Sequence, residues 1–416
     1  MNIYRLGIKN ALANPLSTVL SVLLLLLSIG LISLMFQVTR QLDNKLEKNI
    51  RGIDMVVGAK GSPLQLVLSS VLHIDVPTGN IRLKEAERLS RNRLVKKAIP
   101  VSYGDNYKGY RILGTDKDFL QLYKTELAVG SVWEKPFEVV LGATVADKLQ
   151  LSVGSTFSGS HGLMENSAEA HDHHPFTVVG ILKPSNSVTD QLIICNLESV
   201  WMVHDHGHEA EAATEDHEHH GEEEHHHEVH DAHDEREITA LLVQFRNPMA
   251  MVTLPRMINE NTNMQAALPN YEIERLSNLL SAGSKAITLI AVVIMLVSGI
   301  SIFVNLYKAV RERKYEMALL RTYGASRIQL LRSVMVEGLL IGITGFIAGI
   351  LLSRLGIYVL GGFIEDSYKY TLVDAGIMKE EVFLFIFTIL LTIFATILAA
   401  VPVFYLNVSK ILAGDD

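Results

Sequence analysis

Cysteine is nearly absent from this 416-residue chain. Cys195 stands alone, so no intramolecular disulfide framework can hold the fold and stability must come from packing. A phosphate-binding loop is also missing. The segment Gly58-Ala-Lys-Gly-Ser-Pro63 has suitable glycines but neither a Gly-Lys-Ser/Thr sequence nor a strand-to-helix setting, and it reads as a turn. Any ATP hydrolysis coupled to this chain is therefore expected on a separate subunit. No nucleophile and base can be placed together, which argues against an enzyme. Basic residues almost vanish from one stretch: His204 to Glu237 holds 14 Asp/Glu against the single Arg236. Subtracting that net −13 from the formal −8 leaves about +5, so a mildly basic body carries one acidic insert. No nucleic-acid partner is expected.

Apolar residues make up 49% of the chain and charged ones 20%, so the apolar ones must be concentrated somewhere. Four stretches reach the roughly 20 residues needed to cross a hydrocarbon core about 30 Å thick. They lie approximately over Pro15–Val38, Ala286–Leu306, Val334–Leu360 and Val382–Leu406, and their centres hold almost no ionisable residue, which argues against an ion path. Arg5 and Lys9 precede the first stretch as in a secretory signal, but its apolar run is too long and no small-residue cleavage site follows. It reads as an uncleaved signal anchor.

Between the second and third spans Lys308, Arg311, Arg313, Lys314, Arg321, Arg327 and Arg332 cluster, which places that loop and both termini in the cytoplasm. Arg40, Lys45, Lys48 and Arg51 after the first span argue the other way, but long domains translocate largely regardless of charge. The third span carries Gly338, Gly342, Gly345 and Gly349, two small-xxx-small pairs that admit a close neighbour. Dimerisation, packing on the first span and ordinary packing within the chain all remain open.

Residues 39–285 change to short alternating runs, as in an α+β domain outside the membrane. The pattern predicts strands over Glu138–Leu141, Ser155–Gly159, Phe176–Leu182, Gln191–Cys195 and Ala240–Phe245. It predicts helices over Lys84–Ala98, Ala143–Leu149 and Tyr271–Ala282, and a helical continuation of the first span through Gln41–Ile50. The apolar run Leu64–Leu72 fits a core helix or one lying at the membrane interface.

After the second span comes Arg311-Glu-Arg-Lys-Tyr-Glu-Met-Ala-Leu-Leu-Arg-Thr-Tyr-Gly-Ala-Ser-Arg327. Met317 and Leu320 recur at helical spacing, Gly324 is a C-terminal stop, and Ser326 can cap the next helix. Taken alone, this is a short amphipathic helix that could anchor on anionic lipid. The stretch also resembles the signature of the MacB/LolC/FtsX superfamily of ABC permeases. In that family a Glu-x-x-x-Leu-Arg-x-x-Gly-Ala-Ser pattern forms a coupling helix, matched here by Glu316, Leu320, Arg321, Gly324, Ala325 and Ser326, with Arg311, Glu312 and Arg313 leading into it. The four spans, the large domain between the first two, and the strands Phe176–Leu182 and Asp190-Gln-Leu-Ile-Ile194 extend the resemblance over the chain. It implies a bacterial inner-membrane permease domain over 286–416, a homodimer or paired permeases, two ATPase subunits, and ATP-driven movement transmitted outward to a substrate or a periplasmic partner.

All histidines but His73 fall into two clusters. The first holds His161, His171, His173 and His174, within about 161–174. The second, within about 204–233, holds His204, His206, His208, His217, His219, His220, His225, His226, His227, His230 and His233. Imidazoles interleaved with carboxylates suit zinc or another divalent metal, but the spacing is not that of a closed site, so capture is expected to be weak and multivalent rather than at a fixed cofactor site. A solvated spacer or a pH-responsive charge patch are the other readings. Two functions outside transport stay open: an FtsX-like regulator of an envelope hydrolase, and a membrane-anchored metal-binding protein.

Overall fold

The computed structural model describes residues 15–159, 175–203, 236–368, 376 and 378–404. Each apolar stretch becomes a helix longer than the predicted span. The four run over Pro15–Ile50, Pro269–Glu312, Arg327–Tyr368 and Lys379–Phe404, and each is long and apolar enough to cross a membrane. The chain divides into two compact units. One is built from Met1–Leu42 and Leu279–Asp416, the other is Asp43–Asn278. The first helix continues unbroken across the boundary through Gln41–Ile50.

The membrane unit buries Leu25, Ile29 and Ile32 of the first helix against Ala291, Met295 and Ile302 of the second, Ile341 of the third, and Leu384, Ala395 and Ala399 of the fourth. Apolar side chains also cover its outside: Leu289 is 66% exposed, Leu351 64% and Phe383 73%. Such a surface is stable only in a solvent as apolar as itself.

In the inserted domain, strands form over Met55–Ala59 (β1), Ile81–Arg82 (β2), Val95–Tyr107 (β3), Tyr110–Thr115 (β4), Leu127–Gly130 (β5) and Glu138–Leu141 (β6). They continue with Thr156–Phe157 (β7), Phe176–Leu182 (β8), Ile193–Asn196 (β9), Glu237–Ile238 (β10), Ala240–Phe245 (β11) and Met264–Ala267 (β12). A ten-stranded sheet is ordered β12-β1-β11-β3-β4-β9-β6-β8-β5, with β7 joined to β8 outside that path, while β10 and β2 pair separately. Most neighbours are antiparallel; β4–β9 and β6–β8 are parallel.

Two apolar cores form on this sheet. Met55, Val57, Leu241 and Val243 pack with Ala86 and Leu89 of the helix Leu83–Ser90 and with Leu254 and Ile258 of the helix Ala250–Asn261. Ile112, Val139, Leu141, Val178 and Ile193 pack with Val145 of the helix Ala143–Leu149.

Glu138–Leu141, Phe176–Leu182, Ala240–Phe245 and Ala143–Leu149 have the predicted bounds. The helix expected over Lys84–Ala98 ends at Ser90 instead. Asn92 Oδ1 accepts the Leu94 N–H at 3.0 Å in a turn, and Val95, Ile99 and Val101 then enter the core as part of β3. The strand expected over Ser155–Gly159 shortens to β7. The one expected over Gln191–Cys195 starts two residues late, because Val188–Gln191 forms a 3₁₀ turn. The run Leu64–Leu72 contains the helix Pro63–Ser70, with Ser62 at its N-cap and Leu66 and Val67 fully buried, which decides for a core helix.

Both histidine clusters lie outside the described residues, but their attachment points do not. β7 and β8 are antiparallel with Phe157 opposite Phe176, and the two rings stack at 5.7 Å. Residues 160–174 thus leave and re-enter the domain at one hairpin base. Residues 204–235 leave from the helical segment 197–203 and return at Arg236, whose guanidinium lies 4.9 Å over the Trp201 ring, while Trp201 Nε1 donates to the Glu237 carbonyl at 2.7 Å. Because each insert's ends are already held together, replacing both with four-residue Gly/Ser links should leave the domain folded. It should raise unfolding stability by about 1–2 kcal/mol per insert through the shorter loop. Urea unfolding of the detergent-solubilised protein reads this, and loss of the folded domain would contradict it.

His73 is buried at φ +56, with Nδ1 2.6 Å from the Tyr103 hydroxyl and Nε2 without a hydrogen-bond partner. Burial, with a smaller push from the Arg111 charge, lowers its pKa to about 3. The unfolded chain takes up this proton near pH 6.5 and the folded chain does not until about 3, so folding weakens as pH falls between those values. Asp116, raised to about 6 by burial and by Asp118, acts with the opposite sign over pH 6 to 3.8. Subtracting a His73→Asn curve from the wild-type stability curve isolates the histidine. The difference should slope by up to about 1.4 kcal/mol per pH unit below 6.5, and superimposable curves would refute the assignment.

Candidate functional site

The turn between the second and third membrane helices folds around a short helix, Lys314–Thr322. Its inner face buries Met317 and Ala318, and Met317 packs with Val310, Leu330, Val334, Ala400 and Val403, with Leu320 and Leu331 alongside. Three of the four membrane helices therefore supply its seat. Arg313, its N-cap, places Nη1 3.7 Å from Glu337 Oε2 of the third helix, and both side chains are nearly enclosed at 14% and 7% exposure.

At the other end Gly324 takes φ +91, and the Ala325 N–H returns to the Leu320 carbonyl at 3.0 Å. An L-residue is strained there, which is why glycine stops the helix. Ser326 Oγ then accepts the Gln329 N–H at 3.2 Å, while Gln329 Oε1 accepts the Ser326 N–H at 2.8 Å. This reciprocal capping box starts the third membrane helix.

Of the residues singled out from the sequence, Glu316 is exposed on the outer face, Leu320 and Arg321 are half-buried, and Gly324, Ala325 and Ser326 form the reversal. Arg311 and Glu312 are exposed at the end of the second helix, where Glu312 pairs with Lys308 at 3.8 Å. Sequence reasoning passed over the exposed apolar residues. Tyr315 (57%), Leu319 (41%) and Tyr323 (81%) lie four apart on one stripe opposite Met317, with Ile328 (59%) beyond the turn. The i, i+4, i+8 spacing was available in the sequence; the exposure was not.

The four glycines divide between two neighbours within the chain. A Cβ at Gly338 would collide with Thr396 Oγ1, and one at Gly342 would lie 2.7 Å from Thr392 Oγ1, both on the fourth helix. A Cβ at Gly345 or Gly349 would meet Leu25 or Ile29 of the first helix at 2.8 Å. Further along, Arg354 Nη2 lies 2.8 Å from Glu381 Oε2 of the fourth helix. Glu381 Oε1 accepts from Ser33 Oγ at 2.8 Å, and Gln37 Nε2 donates to Ser353 Oγ at 2.7 Å. First, third and fourth helices are joined there by polar side chains that the sequence reading did not single out.

Among the described residues no three His, Cys, Asp or Glu side chains gather where a metal could sit. His161, His171, His173, His174 and the cluster His204 to His233 lie outside those residues.

Four membrane-length helices, an α+β domain between the first two, and a short helix seated in the turn between the second and third define a permease-type membrane protein. Residues 18–246 match the MacB-like periplasmic core domain and residues 288–413 the FtsX-like permease C-terminal domain. The chain belongs to the MacB/LolC/FtsX superfamily of ABC permeases.

A curated relative, the pyoverdine export ATP-binding/permease protein PvdT of Pseudomonas fluorescens (strain Pf0-1), is 26% identical over 350 residues, covering 79% of this chain. The match takes in 48% of that protein, so the chain spans about half the length of the relative. Solved structures with some likeness include the periplasmic region of MacB from Actinobacillus actinomycetemcomitans (12% identity, 56% of this chain and 98% of that one, TM-score 0.35). Another is the extracellular domain of the noncanonic ABC-type transporter YknZ from Gram-positive bacteria (11% identity, 51% and 98%, TM-score 0.31).

The Arg313–Glu337 pair fixes how the short helix meets the third membrane helix. Arg313→Ala would leave Glu337 enclosed without its counter-charge, at a cost of about 3 kcal/mol. The thermal midpoint of the detergent-solubilised protein should fall, and the double variant Arg313→Met/Glu337→Met should recover most of the loss. A double variant no better than Arg313→Ala would show that the pair is not what holds the turn.

Proposed function

We propose that this chain is the permease subunit of an ABC machine in which Lys314–Thr322 is the coupling helix. A separate cytoplasmic ATPase docks on it, and ATP-driven movement passes through the membrane helices to the inserted domain, which exports or extracts a substrate. The observation that carries this reading is the two-faced construction of the short helix. Its back is locked by Met317, Ala318 and the Arg313–Glu337 pair, while Tyr315, Glu316, Leu319 and Tyr323 are left outward. A rigid seat with exposed aromatic and apolar anchors is what a partner needs to push against.

On this reading the basic turn faces the cytoplasm, both termini lie on the same side, and two permease copies meet two ATPase copies. ATP hydrolysis belongs to the partner, and this subunit is not itself an enzyme. The chemistry of the two histidine-rich inserts supports a link to zinc or another divalent cation, as cargo or as a signal for a periplasmic partner.

Pull-down of the full chain in detergent, with mass spectrometry of what accompanies it, tests the docking. Wild type should recover an ABC ATPase. The variant Glu316→Ala/Leu319→Asp, confined to exposed positions, should lose at least about tenfold of it. Recovery of the ATPase by both proteins alike would place the docking surface elsewhere, and recovery by neither would remove the ATPase reading.

A further inference from the structure

A cleft of about 720 Å³ opens in the inserted domain, walled by segments far apart in sequence. The last turn of the first helix brings Lys48, the residue after that helix is Arg51, and β3 brings Lys97. Lys124 and Glu126 come from the loop after the short helix Lys117–Leu122, and Lys183 follows β8. Five cations thus face one carboxylate within the lining. Gly52 at φ +86 turns the chain directly after Arg51, and Lys124 at φ +52 does so after the short helix.

The pairs these cations make are ones a ligand can exchange. Lys183 Nζ lies 2.7 Å from Glu126, with side chains 57% and 72% exposed. Arg51 lies 3.5 Å from Glu47, at 75% and 74%. Lys48 Nζ donates to the Ser185 carbonyl, and Lys97 pairs with Asp118 at 2.9 Å. The exposed Lys183–Glu126 and Arg51–Glu47 pairs are worth about 0–1 kcal/mol each, so replacing them by a ligand's anionic oxygens costs little.

We propose that this cleft binds a small polyanion, a molecule presenting two or more phosphate or carboxylate groups. Its volume falls in the range of small-molecule sites, about 300–1,000 Å³, which favours a compact ligand over a protein surface. Cations on several walls select two or more charges, since a single carboxylate engages one wall only. The ligand chemistry is shared by a dissolved organic polyanion and by a lipid headgroup with two phosphates. Lys48 lies in the last turn of the helix Pro15–Ile50 and Arg51 directly follows it, so an occupant bonded to them and to Lys183 joins that helix end to the sheet. The site stands independently of ATPase docking.

The test uses the full chain in nanodiscs of neutral phosphatidylcholine, titrated calorimetrically with citrate and, separately, with inorganic phosphate. A second set of nanodiscs containing cardiolipin, whose headgroup presents two phosphates, is read by hydrogen exchange at residues 121–126 and 183–187. Saturable citrate binding, weakened at least about tenfold in Arg51→Glu/Lys124→Glu and unchanged in Arg88→Glu outside the cleft, supports a dissolved ligand. Protection at those two segments in cardiolipin alone, lost in the double variant, assigns the site to a headgroup. Lys183→Gln, a neutral change at an exposed side chain, should weaken whichever binding is found and guards against misfolding of the double variant. Absence of both signals in wild type, or signals that the double variant and Lys183→Gln leave intact, overturns the proposal.

Discussion

A methyl group at Gly338 would strike Thr396, and one at Gly349 would strike Ile29, so the third membrane helix can lie between the fourth and the first only because both its flanks are bare. Lipid gives helices little hydrophobic reason to associate; close backbone approach and satisfied polar groups do it instead. The fourth helix meets this demand with Thr388, Thr392 and Thr396, each hydroxyl bonded back to the carbonyl four residues earlier, which leaves no unmet donor toward the glycines. The first and fourth helices are both placed relative to this helix.

Charge then fixes what shape alone leaves free. A helix packed through glycines can slide or rotate at small cost, but enclosed ion pairs resist both, because a parted charge has no water to turn to. Glu337 holds Arg313 near one end of the third helix, and Arg354 holds Glu381 toward the other. The first pair ties the helix to the short helix in the turn, the second to the fourth helix and, through Ser33, to the first. A force applied at Lys314–Thr322 therefore meets a bundle pinned at two levels. Gln37 Oε1, Gln41 Nε2 and Arg354 Nη1 are buried without a hydrogen-bond partner around the second pair, which makes it the less completely satisfied of the two.

The spans, the turn and its caps were legible in the sequence because each rests on a local signal: twenty apolar residues in a row, Gly324 after a helical period, Ser326 three residues before Gln329. The domain was legible where a strand alternates or is apolar throughout, as in β6, β8 and β11. It was not legible over Lys84–Ala98, where two lysines and an alanine continue a helical composition, and only the burial of Ile99 and Val101 beside β11 makes the segment a strand. The division of the four glycines between two neighbours was likewise unreadable. Glycine spacing records that a helix comes close and says nothing of which helix it is.

Neither the histidine nor the cysteine of the described residues is available as a ligand. Outside the two inserts the imidazole and the thiol present are both consumed by packing. His73 has its Nδ1 on Tyr103, its ring edge-on to Tyr103 and Phe119, and its basicity suppressed to about 3. Cys195 lies in the central strand β9 with its pKa pushed up to about 12 by burial, far from the thiolate a metal requires. Neither can lend a ligand without unfolding its surroundings. Residues 160–174 and 204–235, which hold every other histidine, are attached where Phe157 stacks on Phe176 and where Arg236 lies over Trp201. Both attachments are built from described residues of the domain itself, so the sheet that carries the inserts is closed by its own aromatic and backbone contacts at each junction.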